Sequence, residues 1–176
     1  MRKLQLSFES VAPEIDETPV PDEAPMELVR RLSIAKAEAV AKACRGCLII
    51  GSDQVAVHDG ELIGKPVDHE DAVRQLQFAS GKSIVLYTGL ALLNSDTGNI
   101  QSAVETYIIH FRELSLQQIN SYLEKDQPYN CAGSVKSESL GVALFRRFEG
   151  DDPNTLIGLP LIRLVDMLAV EGVPVI

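Results

Sequence analysis

Apolar residues recur along this chain at two different spacings, and the switches between them lay out alternating strands and helices. Leu6, Phe8 and Ser10 alternate with polar residues, which predicts a short strand. Residues 13–25 hold five acids between closely spaced prolines, a density that blocks regular structure and predicts an ordered loop. Leu28, Leu32, Ala35, Ala39 and Ala43 then fall at helical spacing, predicting a helix over about 24–44 with Asp22 as its N-cap. Residues 47–52 form a short continuous apolar run ending in small residues. That run reads as a strand buried on both faces, with Asp53 and Gln54 at its carboxyl end. Val55 and Val57, Asp59-Gly60, then Leu62 and Ile63 predict a tight hairpin.

The second half is patterned as clearly. Ala72, Leu76 and Ala79 share one face of a predicted helix over 68–80, stopped by Gly81. Residues 83–94 and 100–112 are long strand-like runs joined by Ser95-Asp96-Thr97-Gly98-Asn99, a hairpin. Ser115 and Gln118 match a capping box for a helix through Lys125. A small-residue loop follows at 131–138, then a predicted strand over 140–148. A last helix has Pro160 near its first turn. The class is α/β with an antiparallel component. At 176 residues the chain suits one domain, or two small lobes around one cleft.

Charge narrows the partners. Sixteen basic residues stand against 25 acidic ones, a formal net charge of −9, which disfavours nucleic acid as a partner. A local cluster of lysines would still suffice for one small phosphorylated molecule. No apolar run reaches the ~18 residues of a membrane span, and the basic start lacks an apolar segment behind it, so neither a membrane nor a secretion signal is expected. Three cysteines, Cys44, Cys47 and Cys131, then point to reduced thiols in a cytoplasm.

Common catalytic signatures are missing: no phosphate loop of the G-x-x-x-x-G-K type, no G-x-G-x-x-G, no H-E-x-x-H and no G-x-S-x-G. His58, His69 and His110 sit in no ligand or triad pattern and read as surface or structural residues. Cys44-Arg45-Gly46-Cys47 ends a helix before a strand, the reverse of the thioredoxin order, and lacks a second ligand pair for zinc. Carboxylates and lysines remain. Asp53, at the end of a buried strand, can bind a divalent cation, take a proton from water, or merely cap a turn. Lys36 on an alanine-rich helix and Lys65 in Gly64-Lys65-Pro66 are either solvated surface or phosphate contacts. With Glu14, Asp16, Glu17 and Asp53 they fit a site for metal-bound polyphosphate.

These segments together resemble the Maf-like nucleoside triphosphate pyrophosphatases. The matching stretches are Ala12 to Glu17, the Lys36 helix, Ile49-Ile50-Gly51-Ser52-Asp53-Gln54, Gly64-Lys65-Pro66, Tyr87-Thr88-Gly89, Cys131-Ala132-Gly133-Ser134 and Asp152 to Pro160. They stand in the family's order and cover almost the whole chain as a single domain over 1–176. Ser52-Asp53-Gln54 together with Glu138 resembles the branch acting on 7-methyl-GTP; the dTTP/UTP branch typically has threonine after the aspartate and glutamine at the later position. The resemblance implies an elongated mixed sheet flanked by helices with a deep cleft, as in inosine triphosphate pyrophosphatase-like folds. It implies hydrolysis to a nucleoside monophosphate and pyrophosphate, with Mg²⁺ or Mn²⁺ as cofactor and often a homodimer. Asp53 maps onto the catalytic acid, Gln54 and Glu138 onto specificity positions, Lys36 and Lys65 onto phosphate-binding lysines, and Glu17 onto an acid near the metal. One departure stands out: the family's opening strand and Ser-x-Ser-x-x-Arg-Arg loop have no counterpart after Met1. That gap is expected to reflect either a start placed too late or a shortened form. Two further readings stand beside the first: the same reaction on dTTP or UTP, and a nucleotide-binding regulator with little turnover, which the missing loop favours.

Overall fold

The computed structural model describes residues 1–176. A single turn of 3₁₀ helix, Arg2–Leu4, precedes helix α1 (Pro25–Ala41); strands β1 (Leu48–His58) and β2 (Glu61–Ile63), helix α2 (His69–Ala79), strands β3 (Ser83–Asn94) and β4 (Ile100–Phe111), helix α3 (Leu116–Asp126), strand β5 (Phe145–Glu149) and helix α4 (Leu161–Val170) follow. The α/β class expected from the sequence is what forms, and the five strands make an antiparallel sheet in the order β2-β1-β3-β4-β5. β1 and β2 pair with Val57 opposite Leu62 and His58 opposite Glu61, across Asp59 and Gly60, which both take positive φ.

The chain divides into two compact units. One comprises Met1–Gln54, Thr88–Glu105 and Gly158–Ile176; the other comprises Val55–Tyr87 and Thr106–Ile157. The first has an apolar core of Leu90, Leu92, Leu161, Leu164, Met167 and Leu168, with Ala37, Ile49, Ala91 and Leu93 forming a second cluster. The second unit is built on Leu76, Ile84, Tyr107, Ile109, Phe111, Ile119, Leu123 and Phe145. Burial of such side chains supplies the main drive to fold.

Local rules explain most elements. Asp68 caps α2 by accepting from the Asp71 amide, and Ser115 with Gln118 closes both halves of a capping box on α3. Other expectations need correction. Residues 6–10 form no strand; Leu4 and Leu6 instead pack with the α4 cluster, which satisfies their side chains without a pairing partner. Asp22 is not the cap of α1. It sits at φ 60°, and the helix begins at Pro25, whose fixed φ suits a first helical residue, with Ala24 at the N-cap. The helix stops at Ala41 rather than Cys44. β1 runs on through Asp53 and Gln54 to His58, so Asp53 lies in mid-strand; a half-exposed stretch of sheet tolerates polar side chains because the ladder is backbone. Residues 140–144 wind as 3₁₀ helix, with the Ser139 hydroxyl accepting from the Leu140 amide, and only Phe145–Glu149 is strand. Of the surface and structural readings for His58 the structural one holds: it ends β1 and is 1% exposed. The thiols of Cys44 and Cys47 are joined in a disulfide, and Cys131 alone is free. Reaching that bridge needs only the turn between α1 and β1, which brings residues three apart to a Cα separation of 6.1 Å.

Candidate active site

In the first unit, the seating of α1 on the sheet sets the chemistry. Two glycines allow it. A Cβ on Gly51 would overlap the Ser33 carbonyl oxygen and stand 2.9 Å from the Ala37 amide nitrogen, and one on Gly89 would overlap the carbonyl of Val29. Helix backbone therefore rests directly on β1 and β3. Ser52, next to Gly51, directs its hydroxyl to the carbonyls of Gly89 (2.8 Å) and Gly158 (2.7 Å), tying β1 to the segment that leads into α4.

This seating brings together three of the residues expected from the sequence. The Lys36 ammonium lies 2.6 Å from Asp53 Oδ1 and 2.8 Å from Glu17 Oε1. Asp53 is 11% exposed, Lys36 is 19% and Glu17 is 57%, so the cluster grades from protein to water. Burial pushes the Asp53 carboxyl above the usual aspartate range, and the hydrogen bond and charge of Lys36 only partly oppose it. For Lys36, burial works against the charged form, but the bonds to Asp53 and Glu17 outweigh it and hold the amine above the ordinary lysine range. The result is an aspartate more basic than usual beside a firmly charged ammonium. Gln54, the next residue along β1, donates from Nε2 to the buried Thr88 hydroxyl at 2.7 Å.

Lys65 and Glu138 belong to the second unit. Lys65 is exposed after β2; the carbonyl of Gly64 beside it accepts from the Gly133 amide at 3.2 Å. Glu138 is exposed and accepts from the Ser137 hydroxyl at 3.2 Å. Both lie within electrostatic reach of the Cys131 thiol, whose pKa is raised first by burial and then by the charge of Glu138. Lys65 and Glu138 thus share one neighbourhood. Lys136, which shares it, is committed to the carbonyls of Asp126 and Gln127.

Glu17 and Asp53 converge on one cation, the Lys36 ammonium. Two convergent carboxylates are the usual protein share of a Mg²⁺ site, the rest being phosphate oxygens and water, so the donor set fits that metal. Sequence reasoning gave no role to Arg31 or Thr88. Thr88 lay within a quoted motif; Arg31 carried no signal beyond its place five residues before Lys36.

A family model described as Maf-like protein matches residues 1–171, and the chain belongs to the Maf-like protein family. Members of that family are generally nucleotide pyrophosphatases. No helix of the chain is long and apolar enough to cross a membrane.

Proposed function

We propose that this protein is a nucleoside triphosphate pyrophosphatase acting on 7-methyl-GTP. The observation that carries the reading is the Glu17–Lys36–Asp53 cluster, which sets a basic, sheltered carboxylate against a fixed ammonium. In the reaction a water oxygen attacks the α-phosphorus, its proton passes to a carboxylate oxygen of Asp53, and the bond to the bridging oxygen breaks. Nucleoside monophosphate and pyrophosphate leave. Lys36 moves its hydrogen bonds from carboxylate to phosphate as a point charge, and Lys65 serves the phosphates in the same way. Glu17 with Asp53 would hold Mg²⁺ or Mn²⁺, which neutralises phosphate charge and lowers the pKa of bound water. Glu138 supplies negative charge toward a base that N7-methylation has made cationic, and Gln54, oriented by Thr88, supplies amide hydrogen bonds.

The test is pyrophosphate release from 7-methyl-GTP, GTP, dTTP and UTP with Mg²⁺ or Mn²⁺. Asp53→Asn should cut kcat/KM by on the order of 10²-fold or more, the scale of a lost general base. The wild-type rate should fall at low pH once Asp53 is protonated, because a protonated carboxyl can neither accept the water proton nor hold a cation. A variant keeping half the wild-type rate would make Asp53 structural. Faster turnover of dTTP or UTP than of 7-methyl-GTP would move the substrate to the other branch.

A further inference from the structure

The loop that carries Glu17 has almost no core of its own. Residues 16–22 are all exposed, and α1 begins after them without a side-chain cap. Besides the Glu17–Lys36 pair, what fixes the loop is one arginine of α1. Arg31 Nε donates to Glu23 Oε1 at 2.6 Å and Arg31 Nη2 to Glu23 Oε2 at 2.7 Å, a two-pronged pair; Nη2 also donates to the Thr18 carbonyl at 3.2 Å. Glu23 Oε2 accepts in turn from the Val20 amide at 3.1 Å, and Asp16 Oδ1 from the Thr18 amide at 2.9 Å. Glu17 therefore lies between Asp16 and Thr18, two residues joined to each other, with Thr18 held by Arg31. The Glu23 side chain is 7% exposed and that of Arg31 39%, so the pair sits at the surface with its carboxylate covered.

We infer that Arg31 is a positioning residue: through Glu23 and Thr18 it places the Glu17 carboxylate at the cation position beside Asp53. The inference rests on the role given to Glu17 and Asp53 above. Arg31 and Lys36 stand on the same helix, so the helix that supplies the ammonium also sets where the second carboxylate meets it. Lysine could not replace the arginine here, because one ammonium cannot reproduce a planar fork that spans two carboxylate oxygens and a carbonyl.

The experiment compares Arg31→Lys and Glu23→Gln with wild type. The Mg²⁺ concentration giving half-maximal pyrophosphate release should rise about tenfold in each, with kcat at saturating Mg²⁺ within about twofold. In a Glu17→Gln background, Arg31→Lys should change metal dependence by less than twofold, since the two act through one group. A second readout needs no turnover: amide hydrogen exchange of residues 16–22 should quicken about tenfold in Arg31→Lys while exchange in β3 stays unchanged. Unchanged metal dependence and unchanged loop exchange would overturn the inference. So would a full additional loss in the Glu17→Gln background. If no nucleotide is hydrolysed by wild type, the proposed function fails, and Mn²⁺ titration followed by electron paramagnetic resonance judges Arg31 instead. Binding weakened about tenfold in Arg31→Lys supports it, and equal binding overturns it.

Discussion

In the unit of Met1–Gln54, Thr88–Glu105 and Gly158–Ile176, the central polar side chains Asp53, Lys36 and Glu17 are charged and paired, grading from sheltered to exposed. In the unit of Val55–Tyr87 and Thr106–Ile157, two buried titratable side chains, His58 and Tyr122, are neutral. Lys36 is held by two carboxylates, whereas His58 has both ring nitrogens buried with no hydrogen-bond partner. Tyr122 is held neutral by burial while its hydroxyl accepts from the Lys136 amide. The difference teaches where exchangeable chemistry can sit. An ammonium shared between two carboxylates can be released to a phosphate, because each partner has a replacement. A neutral ring buried without a partner has none to exchange, and leaving its nitrogens unpaired costs stability.

The largest effect that would break this comparison is at Gly51. Adding one methyl there drives a Cβ into the Ser33 carbonyl, a backbone atom that cannot turn away. Gly51→Ala should cost about 3 kcal/mol or more. For a chain of this length that is a fall in Tm of about 6–12 °C. Because the same contact sets α1 on β1, turnover should fall with it as Lys36 loses its register on Asp53. The matched control is Gly64→Ala in the other unit, where an added Cβ meets nothing within 4 Å. Calorimetry on both variants reads the contrast; equal Tm values would mean that the helix can shift freely on the sheet.

That glycine also shows what the sequence could reveal. The motif containing Gly51, Ser52 and Asp53 was visible, and so was its tie to Lys36 through family order. The reason for the glycine was not, because the atom it makes room for, the Ser33 carbonyl, is 18 positions earlier on a helix. Periodicity found α2, α3, β3 and β4 because each has a regular face and a local cap. It failed at residues 6–10 and 140–144, where two or three alternating apolar side chains fit a turn as well as a strand. It placed Asp53 at a strand end because side-chain polarity was taken for a stop, while the backbone ladder continued. Arg31 was illegible for a different reason: its partners Glu23 and Thr18 are reached only once the loop folds back on the helix.

A smaller effect should come from Glu138, which is exposed and therefore screened. Glu138→Gln removes one charge and little volume. The ratio of kcat/KM for 7-methyl-GTP to that for GTP should drop by roughly two- to fivefold, the scale of a single exposed charge pair. Steady-state kinetics on the two nucleotides measures it. A ratio that holds constant would mean that the second unit contributes no charge recognition, and the contrast between the units would then be one of chemistry against scaffold alone.

The smallest effect concerns pH and His58. Its ring is 1% exposed, lies tilted against Phe78 with ring centroids 4.2 Å apart, and has Asp59 and Lys82 as its charged neighbours. Burial holds its pKa below the ordinary 6.5; Asp59 pulls upward and Lys82, itself on Asp59 and over the Phe78 ring, pulls down. The folded chain thus keeps His58 neutral where the unfolded chain takes a proton. The stability this gives is fully present above pH 6.5 and is lost as pH falls toward the lower, folded-state pKa, with a slope for this one group of at most ~1.4 kcal/mol per pH unit. His58→Leu removes the titrating ring and keeps an apolar side chain of similar reach. Melting curves at pH 7.5, 6.5 and 5.5 should show wild type losing more Tm than the variant, and the gap should open only below 6.5. Parallel curves across that range would show that the ring is protonated as readily folded as unfolded, and that the second unit is not sealed at this point.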